Sequence, residues 1–267
     1  DVYGIKTNST LNTFSGAIFG QTDWEITDKL HILTGIRYNY DSKKMDYNRI
    51  TYGGLETTNA AFVALKKKVY SDQAFKVDVE DTNFSGNLTL AYKVSEKINT
   101  FATFANSYKP VGINLGGIPS DANGPIIALA KIKPEKVNHY EVGVKTSPFR
   151  NSIFNLALFQ TDINDFQTNV QAAELGVNRG YLANADKVRV QGVELDASFV
   201  ISSHLTINGA ATYTDAIYEK FTNAPLPLEE TGAPVSFKDV SGSELPGASR
   251  WAGSLGGELS DNARFFG

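Results

Sequence analysis

The sequence contains no cysteine among its 267 residues. A disulfide framework and a thiolate metal site are both excluded. Histidine is scarce, and His31, His139 and His204 fall in three separate segments, so none stands at metal-ligand spacing from another. There is no excess of positive charge. The formal net charge is −4 and the pI is near 5.5, which argues against a nucleic-acid partner, because such surfaces usually carry a basic stripe. No run approaches the roughly 18 apolar residues that a membrane helix needs. A closed barrel is untouched by that absence, since its strands satisfy one another's backbone groups. The Asp1 terminus lacks a basic stretch followed by an apolar core, and so does not begin a signal peptide. Gly112-Ile113-Asn114-Leu115-Gly116-Gly117 lacks the Lys-Ser/Thr of a phosphate loop and reads as surface loop. Carboxylates are plentiful, but no spacing marks two of them as an acid–base pair, and no catalytic residue is assigned.

What the chain does have is alternation. Tyr140, Val142 and Val144 oppose Glu141, Gly143 and Lys145. Phe154, Leu156 and Leu158 oppose Asn155, Ala157 and Phe159. Val193, Leu195, Ala197 and Phe199 oppose Gly192, Glu194, Asp196 and Ser198. A period of two is strand geometry, and these three runs read as an antiparallel meander with one apolar and one polar face. Carboxylates such as Glu194 and Asp196 do not belong in a dry core, so the polar face is wet.

The same period predicts strands over 12–27, 30–41, 82–95, 99–109, 138–147, 152–168, 185–201, 205–218 and 249–260. A short helix is expected over 60–70, inside an otherwise polar stretch, 42–81. Short turns near 28, 96, 149, 203 and 261 alternate with long connections at 42–81, 110–137, 169–184 and 219–248. In a meander, successive connections fall at opposite ends of the sheet. All the short turns therefore share one rim and all the long connections the other, which is the asymmetry of an outer-membrane barrel. A tilted strand of about 10 residues also spans an apolar band of roughly 25 Å. Soluble sandwiches use shorter strands, of about 5–6 residues.

A spaced series of short motifs carries a family resemblance. It runs Tyr108-Lys109-Pro110, Asn114-Leu115-Gly116, Lys133-Pro134-Glu135, Tyr140 to Lys145 and Leu158 to Gln167. It continues with Gln191-Gly192-Val193-Glu194-Leu195, Asp239-Val240-Ser241-Gly242 and Leu245-Pro246-Gly247. Together these resemble a TonB-dependent outer-membrane receptor of the siderophore-receptor kind. The resemblance implies an all-β fold, a transmembrane barrel of about 22 strands around an N-terminal plug. Residues 1–267 are expected to supply about 9–10 of those strands, with the plug domain and the final strands absent, and Arg264-Phe265-Phe266 opening a further strand. Two unpaired edges would then make the isolated piece prone to aggregate.

The resemblance further implies active import of a scarce nutrient, most often iron held in a chelate such as a siderophore. Expected partners are outer-membrane lipid, the chelate, and the TonB complex acting through the absent plug. No cofactor is expected on the protein's own side chains, and iron enters only as part of the substrate. A passive pore or adhesin barrel is the alternative from a different class. Candidates for ligand contact are Tyr108, Asn114, Arg179 and Tyr181. Tyr108, Tyr181 and Tyr218 also suit an aromatic girdle. Trp24 and Trp251 are read as girdle residues of the short-turn half. Arg37, Lys93, Glu141, Lys145, Glu194 and Asp196 share the polar phase and are expected to face the lumen. Lys66-Lys67-Lys68 reads as a solvated loop face, with long-range attraction for an anionic chelate as its alternative.

Overall fold

The computed structural model describes residues 3–54, 56–69, 71–118, 120–121, 123–171, 180–226 and 237–260. Among these described residues, nine long strands form one antiparallel sheet in sequence order. They are β1 (Tyr3–Thr27), β2 (Leu30–Gly53), β3 (Gln73–Ser95), β4 (Ile98–Lys109) and β5 (Glu135–Thr146), then β6 (Ile153–Gln171), β7 (Gly180–Val200), β8 (Leu205–Lys220) and β9 (Trp251–Leu259). Helix α1 (Ala60–Val69) lies between β2 and β3. Asn59 caps it by accepting the Ala61 amide at 3.0 Å, as a short polar side chain at that position does.

Side-chain oxygens hold the short turns together. Thr27 Oγ1 accepts the Leu30 amide at 3.0 Å, Ser95 Oγ the Lys97 amide at 3.3 Å, and Ser202 Oγ the His204 amide at 3.2 Å. Ser152 Oγ accepts from the Phe149 amide and donates to the Phe149 carbonyl, at 2.8 and 2.7 Å. Such local bonds replace the ladder where the chain reverses.

Continuous pairing shows the barrel geometry. Trp24, Ile32, Leu90, Ala102, Val142, Leu158, Val193, Tyr213 and Trp251 are successive direct partners across all nine strands. Ile32 stands two residues above the first residue of β2, whereas Tyr213 stands eight above the first residue of β8. The row climbs six residues over six strand-to-strand steps, so the short turns are level only if the strands lean. One residue of about 3.3 Å per strand spacing of about 4.8 Å gives a tilt of about 35°, the lean required of barrel strands.

The structure corrects the polar stretch 42–81. β2 continues to Gly53 and β3 starts at Gln73, paired from Ser42–Glu80 to Arg49–Gln73. Alternation never stops there; it changes sign. Below Ser42 one face of β2 carries Leu30, Ile32, Ile36, Tyr38 and Tyr40. Above it that face carries Lys44, Asp46 and Asn48, while the opposite face carries buried Met45 and Tyr47. β3 follows suit: Phe84, Leu88, Leu90 and Tyr92 on one face give way to buried Phe75, Val77 and Val79 on the other. The reversal recurs where Leu158 yields to Gln160 and Asp162, and where Val193 yields to Gln191 and Arg189, with Ile163, Val188 and Val190 packed on the far side.

Candidate functional site

The apolar set changes face because the polar face is covered at the long-connection end. The connection between β4 and β5 folds down over β2 and β3. Its Val111, Ile113, Ile118 and Ala130 pack with Met45, Tyr47, Phe75, Val77 and Val79 in one buried cluster. Gln73 fixes the cover from below. Its Nε2 donates to the Ile118 carbonyl at 2.6 Å and to Ser120 Oγ at 3.0 Å, and its Oε1 accepts the Ile118 amide at 3.3 Å. Gly117, with φ 89°, has Arg49 Nη1 2.5 Å from where a β-carbon would stand. The positive φ favours glycine there, and a β-carbon would also displace the end of the Arg49 side chain.

Two side-chain amides, buried Gln167 and half-buried Asn184, lock both ends of this cover to β6 and β7. Gln167 donates from Nε2 to the carbonyls of Pro110 and Lys133 at 3.1 and 3.0 Å, and its amide donates to Glu135 Oε1 at 2.7 Å. Lys109 Nζ reaches the same carboxylate oxygen at 3.3 Å. Asn184 Oδ1 accepts the Lys133 amide at 3.0 Å, while its Nδ2 donates to the Lys133 and Asp165 carbonyls. Asp165 has φ 53°, a left-handed position that aspartate tolerates better than most residues. The second cover lies over β7 and β8, where Phe221, Ala224, Val240 and Leu245 pack with Val188, Val190 and Tyr218. Asp239 Oδ1 accepts from the Ser241 amide and hydroxyl at 2.8 and 2.5 Å. These two donors hold the Asp239 carboxyl below its usual range.

Toward the short turns the polar face is open. Lys93, Asn99, Lys145, Asn155 and Asp196 are successive direct partners along one row. A concavity of about 660 Å³ lies over its first part, lined by His31, Lys93, Glu96, Lys97, Lys145 and Asn155 among others. Lys93 pairs with Glu96 at 2.9 Å, and Lys145 Nζ lies 5.4 Å from the Phe101 ring centre. Asn155 Nδ2 donates to Asp196 at 2.9 Å. Arg37 Nε donates to Asn39 at 2.7 Å, and Glu141 lies 3.4 Å from His139 Nε2. Glu194 stands opposite Ala157 and Thr212. The registers thus place Arg37, Lys93, Glu141, Lys145, Glu194 and Asp196 on one face.

The ligand-contact candidates separate into two groups. Asn114 is 6% exposed and already engaged: its Nδ2 donates to the Leu182 carbonyl at 3.1 Å and its amide to Ala130 at 2.9 Å. Tyr108 shares the outward parity of Phe104, yet its hydroxyl donates to Asp41 on the covered face at 2.9 Å. The β3–β4 ladder ends at Gly86–Asn106, and Tyr108 reaches across the opening above it. Tyr181 lies in β7, next to the carbonyl that holds Asn114, with its side chain outside the described residues; Arg179 lies outside them altogether.

Tyr218 packs in the second cover rather than on the apolar face. Trp251 is corrected too: the long connection feeds directly into it, so it enters β9 from that end and packs against Tyr213 with the rings tilted and their centres 4.9 Å apart. Lys66 Nζ lies 5.1 Å from the Tyr3 ring centre; the Lys67 and Lys68 side chains are outside the described residues. Sequence reasoning missed Arg49, Gln73 and Gln167. The signal for the first two was there, in the alternation of Phe75, Val77 and Val79 with Lys76, Asp78 and Glu80.

A family model described as TonB dependent receptor-like, beta-barrel matches residues 1–267. Among curated proteins the chain is similar to the pesticin receptor of Yersinia enterocolitica, 25% identical over 222 residues that cover 82% of this chain and 27% of that protein. It is also similar to the ferrioxamine B receptor of Salmonella typhimurium, 25% identical over 184 residues, covering 68% and 23%. The ferric yersiniabactin uptake receptor FyuA from Yersinia pestis shares the fold, with a TM-score of 0.68 at 18% identity over 98% of this chain and 33% of that one. The siderophore receptor PiuA from Acinetobacter baumannii does so with a TM-score of 0.65 at 21% identity, covering 93% and 31%. The chain spans roughly a quarter of the length of these curated relatives.

Proposed function

Because this chain belongs to the TonB-dependent receptor-like β-barrel family, we propose that it forms part of the wall and mouth of an outer-membrane receptor that imports a ferric siderophore with energy relayed by TonB. The family's barrels lie in the outer membrane of Gram-negative bacteria, and it is one of transport receptors rather than enzymes. The observation that carries the reading is the change of sign in the alternation. Where the outer face is apolar it meets lipid; where that face turns polar, at Lys44, Asp46, Lys76 and Asp78, it stands in water, and the inner face is sealed by the protein's own connections.

On this reading the open part of the polar face is the lumen wall. Arg37, Lys93, Glu141, Lys145, Glu194 and Asp196 keep it hydrated and face the plug. Tyr108 and Asn114 hold the shape of the mouth, and Tyr181 of β7 and Arg179, which precedes that strand in sequence, are the residues we assign to ligand contact. The chelate binds at the mouth and brings its own iron. Release requires that binding weaken once the plug is pulled, since a ligand held equally in both states is not delivered.

The test is uptake of iron-55 by iron-starved cells that carry the complete reading frame and lack other receptors of this type. Iron is supplied as ferrioxamine B or as a ferric tris-catecholate. Saturable uptake that disappears on deletion of TonB is expected. A non-saturating, TonB-independent leak would instead make the barrel a passive pore.

A further inference from the structure

We propose that the upper edge of β3, from Ala74 to Thr82, is a docking edge that takes an added strand from a protein partner. Below this stretch the edge is filled by β4, and the last pair of that ladder is Gly86–Asn106. β2 continues beside β3 as far as Arg49–Gln73, while β4 goes on with β5 alone, to Lys109–Glu135. A notch therefore opens between β3 and β4. Tyr108 crosses its foot through the bond to Asp41.

Backbone groups turn to alternate sides along a strand, so only every second residue of β3 faces the notch. The Phe84 carbonyl accepts from Asn106 Nδ2 of β4 at 3.1 Å, which assigns the even-numbered residues to that side. Among the described residues, the amides and carbonyls of Ala74, Lys76, Asp78, Glu80 and Thr82 have no hydrogen-bond partner there. The cover supplies none, because it packs on the inner face against Phe75, Val77 and Val79. Buried backbone groups rarely go unpaired, so these groups stand in water. The usual guards of an open edge are missing as well. Residues 73–85 contain no proline, their ladder with β2 has no register shift, and Lys76 is tied to Asp46 at 2.8 Å.

The chemistry of the partner follows from the side chains along the edge. Lys76, Asp78 and Glu80 are exposed on the outer face, with Asp46, Lys44 and Ser42 directly opposite them on β2. Asp46 neutralises Lys76, whereas Asp78 and Glu80 have no ion-pair partner within 4.0 Å among the described residues. Opposite charges on directly facing residues stabilise a strand pair, and like charges destabilise it. The added strand therefore carries lysine or arginine at two alternate positions, facing Asp78 and Glu80, and no basic residue opposite Lys76. Main-chain bonds give such a strand its affinity, and its alternate side chains give selectivity. The edge does not depend on what the barrel imports; only its place outside the cell rests on that reading.

The test uses the complete receptor in detergent and a fluorescein-labelled peptide, Thr-Val-Lys-Val-Lys-Val-Glu-Val-Thr, whose antiparallel register sets its lysines against Glu80 and Asp78. Saturable binding, followed by fluorescence anisotropy, is expected. The same peptide N-methylated at both lysine amides should not bind, because those amides bond to the edge. Glu80→Lys should weaken the peptide by about tenfold, and heat-modified gel mobility confirms that the variant is folded. Without peptide, hydrogen exchange should be fast at the amides of Lys76, Asp78 and Glu80 and slow at those of Val77, Val79 and Asp81, which face β2. The assignment is overturned if the peptide does not bind, if N-methylation or Glu80→Lys leaves its affinity unchanged, or if both sets of amides exchange slowly. If iron uptake fails but the peptide binds as described, the edge stands and the transport reading falls.

Discussion

The ring of Phe159 lies over Gly192, its direct partner on the next strand, with a ring carbon 2.8 Å from where a glycine β-carbon would stand. Phe101 covers Gly143 in the same way, at 2.6 Å. Both glycines belong to the motifs that carry the family resemblance. The pairing gives a physical reason for them: a flat aromatic replaces the missing side chain on the polar face. Gly192→Ala should therefore destabilise the barrel by about 1–3 kcal/mol through overpacking, more than Gly20→Ala, where nothing lies within 4 Å. Urea midpoints followed by heat-modified gel mobility check this, and equal midpoints would count against it.

Among the described residues Gln167 Nε2 is the one side-chain donor to the Pro110 carbonyl, and it shares the Lys133 carbonyl with Asn184 Nδ2. Gln167→Leu strips them and should cost about 1–3 kcal/mol. The loss is local, because the main ladder is untouched. Limited proteolysis followed by mass spectrometry should show faster cutting within 110–134 at unchanged barrel mobility; unchanged cutting would mean the cover is held by its apolar cluster alone.

Val142 lies in the middle of the row from Trp24 to Trp251, on the apolar face, and Glu194 lies on the other. Val142→Arg should cost about 2–4 kcal/mol of folding into bilayers. Glu194→Arg should cost far less, since that face is wet. Folding yields into lipid vesicles at rising urea compare the two.

The Asp239 carboxyl is held below its usual range by two donors from Ser241. Its folded pKa is lowered, so the stabilisation of this turn is present above the ordinary aspartate value and disappears as pH falls through the folded value. Hydrogen exchange at Ser241, corrected for intrinsic rate, should accelerate only at the acid end of that window. Asp239→Asn should exchange fast at every pH, and a pH-independent wild type would contradict the assignment.

The short-turn halves of the meander, Tyr140 to Lys145, Phe154 to Phe159 and Gly192 to Phe199, were legible because one residue parity stays apolar through each of them. The lower halves of β2, β3 and β8 were legible for the same reason. Residues 42–53 and 73–81 were not. A reader who follows one apolar face sees it end at Tyr40, since the outer surface there leaves lipid for water. The apolar residues that remain, Met45, Tyr47, Phe75, Val77 and Val79, answer to a cover contributed from 111–130, and nothing local announces it. Tyr108 escaped for a related reason. Its parity points outward, and only the end of the β3–β4 ladder lets it reach Asp41.

Neighbours of opposite parity give the most direct test of the two-faced wall. Glu141→Cys and Val142→Cys, made separately in the complete receptor with any cysteine outside these cysteine-free 267 residues replaced by serine, are labelled with bimane in lipid vesicles. The fluorescence at 142 should be quenched by doxyl-labelled lipid and that at 141 by aqueous iodide. Lipid quenching at both, or the reverse order, would contradict the assignment of the polar face to the lumen.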